Sequence, residues 1–399
     1  MTGGEIVPSV KTFETDMRKL RRKRRTKRYI KNVMFIFAIL IIAGLIYLSR
    51  DAWIAYFDGI LERAKPNVTV QNDGTLAGGN YPIDISKKTN TYIGKIQRSW
   101  TLFADTTFYV YDSSGDIVYS VQAPYSNPII EESDKRTLIY DQGGYNFMVV
   151  GPKKQIYSKR LSEQILLGAV GSDGSVAIVT QTEKYASYLT IYDKNGSEIY
   201  HWADGTMITA IALNKDGSGC ILSSSYSRGG AYRSVVSQLD FKSTEVVMQT
   251  APFETLGFAV EYCDGGIWLI GHDRLYVLDS DGEISKTYQY EYNLMDFSLS
   301  SSLAALAFEG VGGSGGRMVI IQANGDEVFE TSEDAEPSDI SVSGNAVYLC
   351  FDTRIDAVDK NGNLLATAPV DTVYRSFTVL DDEIYLLGYR AVDKIDFSF

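Results

Sequence analysis

The sequence predicts an all-β fold, an eight-bladed β-propeller preceded by one N-terminal transmembrane helix. Three observations predict it. A hairpin signature recurs at near-constant spacing, an uninterrupted apolar run stands at residues 33–48, and the charge changes sign across that run. The signature reads FYVYDSSGDIVYS from Phe108, YLTIYDKNGSEIYHW from Tyr188, RLYVLDSDGEISKTY from Arg274, RMVIIQANGDEVFET from Arg317 and TRIDAVDKNGNLLAT from Thr353. Weaker copies start at Tyr145 and Arg233, and RAVDKIDFSF from Arg390 is a truncated one. Self-similarity with a period of about 40 residues is the mark of propeller blades.

Each copy reads as two strands around a tight turn, because β-branched and aromatic residues alternate with polar ones on both sides of an Asp-x-x-Gly or Asn-Gly step. Gly115, Gly196, Gly282, Gly325 and Gly362 sit where the turn needs positive φ, and Asp112, Asp193, Asp279 and Asp359 are placed to bind the turn's own amides. Corresponding turn positions, with Lys154 and Ser243 filling the weak copies, are 37 to 47 residues apart. That interval holds four strands. One unit has its innermost strand near 256–261, a second at 266–271, a third at 274–279, a turn at 280–282 and an outer strand at 283–290. Longer connections between second and third strands are expected at 185–188, 226–232 and 309–316.

Eight third strands can be counted, and the eighth has no outer partner before Phe399. An unpaired sheet edge invites pairing with another chain. Residues 81–86, YPIDIS, alternate in strand fashion and are expected to close the ring as that missing strand. Seven blades is the alternative, should one weak unit be an insertion.

The expected organisation is a basic cytoplasmic tail (1–28), a transmembrane helix (29–49), a juxtamembrane helix with a flexible stem (50–80) and an extracytoplasmic propeller (81–399). Residues 29–49 approach the length that spans a bilayer. Residues 1–32 carry eleven basic residues against three acids, a net +8, so the positive-inside rule puts the N-terminus in the cytoplasm. A cleaved signal peptide shares the basic start and apolar core, but Ser49, Arg50 and Asp51 follow the run here in place of a small-residue cleavage site. The whole chain is at −12, which leaves the part beyond residue 32 at −20. Such acidity argues against nucleic acid as a partner, since that binding neutralises phosphates with Lys and Arg.

Chemistry is sparse. His201 and His272 are the only histidines, and no nucleophile motif accompanies His272–Asp273, which reads as a polar turn pair. DSDGE at 279–283 has the opening of a calcium loop but occupies the repeat's own turn position. The glycine-rich 310–317 lacks the Lys and Ser/Thr of a phosphate loop. Cys220, Cys263 and Cys350 lie in apolar strand sequence without metal-ligand spacing and read as buried small hydrophobes. No catalytic residue, metal site or cofactor is therefore expected. Among the 27 tyrosines, most suit strands, while Tyr125, Tyr185, Tyr226, Tyr232 and Tyr292 fall in connections, with Trp202 near an outer strand. Those six are the candidate ligand- or partner-binding residues, because aromatics anchor interfaces.

The repeats resemble those of quinoprotein-like propellers, whose hairpins follow L-Y-A-L-D-x-x-x-G-x-x-x-W; Tyr276, Leu278, Asp279 and Gly282 match that pattern. The resemblance covers residues from about 90 onward and implies the fold. Most of the recurrent Trp and Gly of quinone-binding repeats are absent, and no position matches their cofactor or calcium ligands. The layout of basic tail, single anchor, stem and propeller also resembles an uncharacterised family of envelope proteins in Gram-positive bacteria. It implies location in a bacterial cell membrane, and no reaction.

The expected function is a non-enzymatic binding or scaffold module that holds an envelope protein or a cell-wall polymer at the membrane. The alternative is a glycan- or peptide-processing enzyme with carboxylates at the propeller axis, contributed by different blades and invisible to motifs. A sensor that signals through the helix is a third reading, although the tail has no recognisable output domain.

Overall fold

Burial within a single repeat explains why four strands are needed. In blade 5 the second strand, Gly266–Gly271, and the third, Arg274–Asp279, are buried on both faces, whereas the fourth, Ile284–Gln289, is exposed at every second residue. A strand apolar on both faces must lie between two neighbours, and stacking of blades around an axis provides them. The same holds for the second strands Thr137–Asp141, Val176–Thr180 and Ala346–Cys350, which are wholly buried.

The computed structural model describes residues 70–71, 79–310, 315–323, 328–333 and 335–399. Expectations for the tail, the membrane helix and most of the stem lie outside the described residues, as does Gly325. Among the described residues no helix is long and apolar enough to cross a membrane. The sheets form eight blades, spanning 92–122, 128–160, 165–204, 207–249, 257–289, 294–333, 339–369 and 374–396. Eight blades, and not seven, complete the ring. Buried apolar residues fall into eight clusters, one at each seam between neighbouring blades.

The chain closes its own ring. Ile83–Asp84 pairs antiparallel with Ala391–Asp396, in the register Ile83 to Val392, and supplies the outer strand that blade 8 lacks. Within the segment read as stem, Val70–Gln71 adds a fifth, parallel strand to blade 7 beside Leu364–Pro369.

The turn chemistry repeats with little change. Asp112, Asp193, Asp279 and Asp359 each accept, through Oδ1, the backbone N–H groups two and four residues ahead, at 2.7–3.0 Å. Gly115, Gly196, Gly282 and Gly362 follow with φ between 75° and 88°. These glycines serve packing as well. A methyl on Gly196 would strike the Tyr157 ring of the preceding blade's outer strand; Met248 stands over Gly282, Phe329 over Gly362, and Tyr81 over Gly115. Tyr81, beside the closing strand, thus does for blade 8 what outer-strand residues do elsewhere.

First strands touch their neighbours around the axis, with one sparse seam, between blades 5 and 6. Several seams are stitched by polar groups. Glu132 accepts the Lys95 N–H at 2.8 Å, Asp296 the Ile340 N–H at 3.1 Å, and Asp339 the Phe377 N–H at 2.9 Å. Side chains of one blade thereby satisfy the backbone of the next.

One expected connection is corrected. Residues 226–232 form no loop: the strands Gly219–Arg228 and Ala231–Asp240 stay paired up to Arg228 opposite Ala231. Gly229 and Gly230 both have positive φ, which makes a two-residue hairpin turn possible.

Candidate functional site

Strands alternate in direction within a blade, so the connections from second to third strands and those from one blade to the next emerge on one face. We call it the upper face; the Asp-x-x-Gly turns lie on the lower one. All six aromatic candidates belong to the upper side. Tyr125 and Tyr292 lie in blade-to-blade connections, Tyr185 joins the second and third strands of blade 3, and Tyr226 and Tyr232 flank the hairpin tip of blade 4. Trp202 lies in Glu198–Asp204, opposite Leu189, toward the upper end.

Their surroundings differ. Tyr125, Trp202 and Tyr292 are half-buried against seam clusters, and burial pushes the Tyr125 phenol up to about 12. The Trp202 Nε1 is enclosed without a partner among the described residues. Lys184 lies 4.9 Å over the Tyr185 ring, while Tyr226 is half-buried and pairs across the hairpin with Arg233. Tyr232 is 55% exposed and meets the His272 ring edge-on at 6.1 Å. Tyr292 and, through its contact with the His272 ring, Tyr232 adjoin one place, which Tyr292 alone of the six lines.

That place is a cleft of about 490 Å³ at the upper end of the blade 5–6 seam. Its walls are His272 and Asp273, residues 290–294, and Glu309 with Gly310. Below it two contacts bridge the seam: Trp268 Nε1 donates to the Ser300 carbonyl at 2.9 Å, and Phe258 meets Phe297 edge-on at 5.8 Å. The cleft backbone is pinned by Tyr290 N–H to the Asp273 carbonyl at 2.9 Å and Glu309 N–H to the Asn293 carbonyl at 3.1 Å.

His272 Nδ1 accepts the Leu256 N–H at 3.1 Å, so the neutral ring carries its proton on Nε2. Asp273 receives Arg274 Nε and Nη2 on Oδ2, at 3.0 and 2.6 Å, and the Thr255 hydroxyl on Oδ1 at 2.6 Å. The Arg274 and Thr255 hydrogen bonds hold its carboxyl below the usual range against the opposing effect of burial. Thr255 is fully buried, so it is no nucleophile for this pair. Asn293 Nδ2 donates to Glu309 Oε2 at 2.8 Å, and burial pushes the Tyr290 phenol well up, keeping it neutral. His201 stacks on Tyr188 at 5.7 Å, in the outer sheet of blade 3.

The axis holds the other concentration of charge. Burial pushes Glu131 and Glu132 up to about 7 and Asp339 up to about 6, and raises Glu261 and Asp296. Asp296 and Asp339 serve the backbone stitches already described, accepting the Ile340 and Phe377 N–H groups.

DSDGE is a turn, with Asp279 committed to backbone amides. Among the described residues no group of His, Cys, Asp and Glu is arranged to hold a metal ion, and the three cysteines are free.

A family model matches residues 80–396. The chain belongs to DUF5711, a family of unknown function. No curated protein matches it. Among solved structures, this DUF5711 propeller is similar to BamB from Moraxella catarrhalis, with a TM-score of 0.54 and 13% identity over 81% of this chain and 97% of that one. It is also similar to the computationally designed protein Ika8, with a TM-score of 0.58 and 12% identity over 81% of this chain and 99% of that one. At such identities the likeness of a DUF5711 chain to these structures establishes the β-propeller fold alone.

His272, Tyr290, Glu291, Asn293 and Glu309 were not legible as a site. The connection at 290–293 meets Asp273 through the strands of blade 5 and Glu309 through the pairing of Leu294 with Phe308 in blade 6. Tyr292 carried the one usable signal, an aromatic in a predicted connection.

Proposed function

We propose that this chain is a membrane-anchored extracytoplasmic binding module without catalytic activity, whose upper face holds an envelope protein or a cell-wall glycan. The observation that carries the reading is the division of the two faces. The upper face has the long connections, the aromatic candidates and the blade 5–6 cleft. The chain enters the ring from below: Asn80 N–H donates to the Ser114 carbonyl at 2.9 Å, and Asn80 Nδ2 to Asp116 Oδ1 at 2.7 Å, both in the lower turn of blade 1.

The reading includes an anchor at 29–49 joined to the ring by a short stem, and the resemblance of this layout to Gram-positive envelope proteins supports that location. Eight blades give a rigid platform, and rigid platforms with decorated connections are how propellers present binding surfaces.

The test is affinity capture with the full-length chain as bait, from membranes and from purified wall polymer. Wild type should recover an envelope protein or wall polymer, and Tyr232→Ala should recover less. Equal recovery by wild type and by a bait whose upper connections carry added bulk, such as Glu163→Trp with Tyr232→Ala, would contradict the proposal.

A further inference from the structure

We propose that the upper mouth of the axial channel is a docking collar for a short segment of a partner polypeptide, in which aliphatic residues flank one lysine or arginine. The proposal rests on the upper face being the binding surface and names where on it the partner sits. First strands run from the upper face to the lower one, so their leading residues rim the mouth. Tyr92 opens the first strand of blade 1 and Met207 that of blade 4; Phe258 and Met295 stand second in those of blades 5 and 6, and Val373 directly precedes that of blade 8. All five are between 37% and 53% exposed. Large apolar side chains scattered singly over a surface need no explanation, but five around one opening form a patch of the kind that marks an interaction site.

The backbone presents two of them. Gly257 pairs with Gly271 and Ala259 with Ile270, so the ladder passes over Phe258; Leu294 pairs with Phe308 and Asp296 with Ala307, so it passes over Met295. A bulge of this form leaves its extra residue unpaired and re-aims the side chain. Met207 and Met295 are unbranched and adaptable, suited to moulding around aliphatic side chains.

Charge selects the rest of the occupant. The eight first strands carry Glu131, Glu132, Glu261, Asp296 and Asp339 against Lys95 and Arg375. Both cations are engaged: Lys95 Nζ donates to the Val379 carbonyl at 3.0 Å, and Arg375 Nη2 to Thr91 and to the Gly388 carbonyl. The carboxyls share one space, because the Tyr92 phenol of blade 1 feels Glu131 and Glu132 of blade 2 together with Asp339 of blade 7. Asp339 stands at the rim, Asp296 directly below Met295, and Glu131 three residues into its strand. Glu131 is half-buried, and among the described residues its carboxyl has neither a hydrogen bond nor a cation. A basic side chain entering through the collar would supply both in one charge-assisted bond.

The experiment is calorimetric titration of the full-length chain, held in lipid nanodiscs, with the capped pentapeptide Gly-Leu-Lys-Leu-Gly and with two relatives, one bearing norleucine for lysine and one bearing serine for both leucines. The first should bind at least about tenfold more tightly than either relative. Phe258→Ser with Met295→Ser should weaken it about tenfold or more, and Met295→Ser alone by a smaller factor. Ile284→Ser, at an equally exposed position on the outer strand of blade 5, should change it less than about twofold. Glu131→Gln should reduce the advantage of lysine over norleucine. Failure of the leucine–lysine peptide to bind, equal binding of the serine peptide, or equal loss in Ile284→Ser overturns the collar. Equal binding of the norleucine peptide overturns the basic residue. Self-association of the chain that the double variant abolishes would give the collar to a second copy and overturn a separate partner. A partner captured through the upper face whose recovery ignores the collar variants would defeat this inference and leave the proposed function standing.

Discussion

The Trp100 indole N–H donates to the Tyr81 hydroxyl at 2.8 Å, joining the closing strand to the second strand of blade 1. Trp100 is fully buried and stacks on Tyr111 at 4.3 Å and on Tyr385 of blade 8 at 5.3 Å. Buried Lys394 pairs with Glu383 there and donates to the Ser113 carbonyl at 3.0 Å. The two ends of the ring are therefore held through side chains as well as through the short ladder of Ile83–Asp84.

Tyr81→Phe should cost about 1 kcal/mol, the net worth of one hydrogen bond. Tyr81→Ala should cost about 2–4 kcal/mol, because it also empties the space over Gly115. Chemical denaturation of the full-length chain measures both. Deleting residues 81–86 should leave the edge strand of blade 8 unpaired and produce concentration-dependent association by light scattering.

Turn glycines at packed positions should tolerate a methyl less well than those in open space. Gly143 has φ of +78° and no atom within 4 Å of the place a methyl would take, so Gly143→Ala should cost only the backbone strain, about 1–2 kcal/mol. Gly196→Ala adds collision with Tyr157 and should cost more. Equal losses of stability in the two variants would refute the packing role.

Stability should fall as pH rises from about 5 to 8. Glu131 and Glu132 are raised from 4.5 to about 7, so the folded state holds protons that the unfolded state releases earlier. Their favourable contribution is complete below the unfolded value and is lost as pH climbs through the folded one. For Glu132 alone the slope is ~1.4 kcal/mol per pH unit within that window. Glu132→Gln should flatten the dependence of Tm on pH, read by thermal denaturation in buffers of matched ionic strength.

The fold was legible because the repeat writes each turn in the same letters. The second and third strands of blade 5 fall at the expected residues, and YPIDIS supplies the closing strand through Ile83–Asp84. The hairpin of blade 4 was missed because SSSYSR lacks apolar alternation. Its stability comes from hydroxyls, with Ser225 and Ser234 hydrogen-bonded across the ladder at 2.8 Å, and from the Gly229–Gly230 turn. The candidate cleft was legible only at Tyr292. Its carboxylates belong to two blades, and no spacing along the chain records which connections a seam will place side by side.

Site-specific photo-cross-linking in intact cells tests the central claim most directly, with the probe placed in the full-length chain at position 232 on the upper face or 281 on the lower. Adducts with an envelope protein or wall polymer should form from position 232 and be absent from position 281. Adducts of equal yield from both positions, or from 281 alone, would contradict an upper-face binding module.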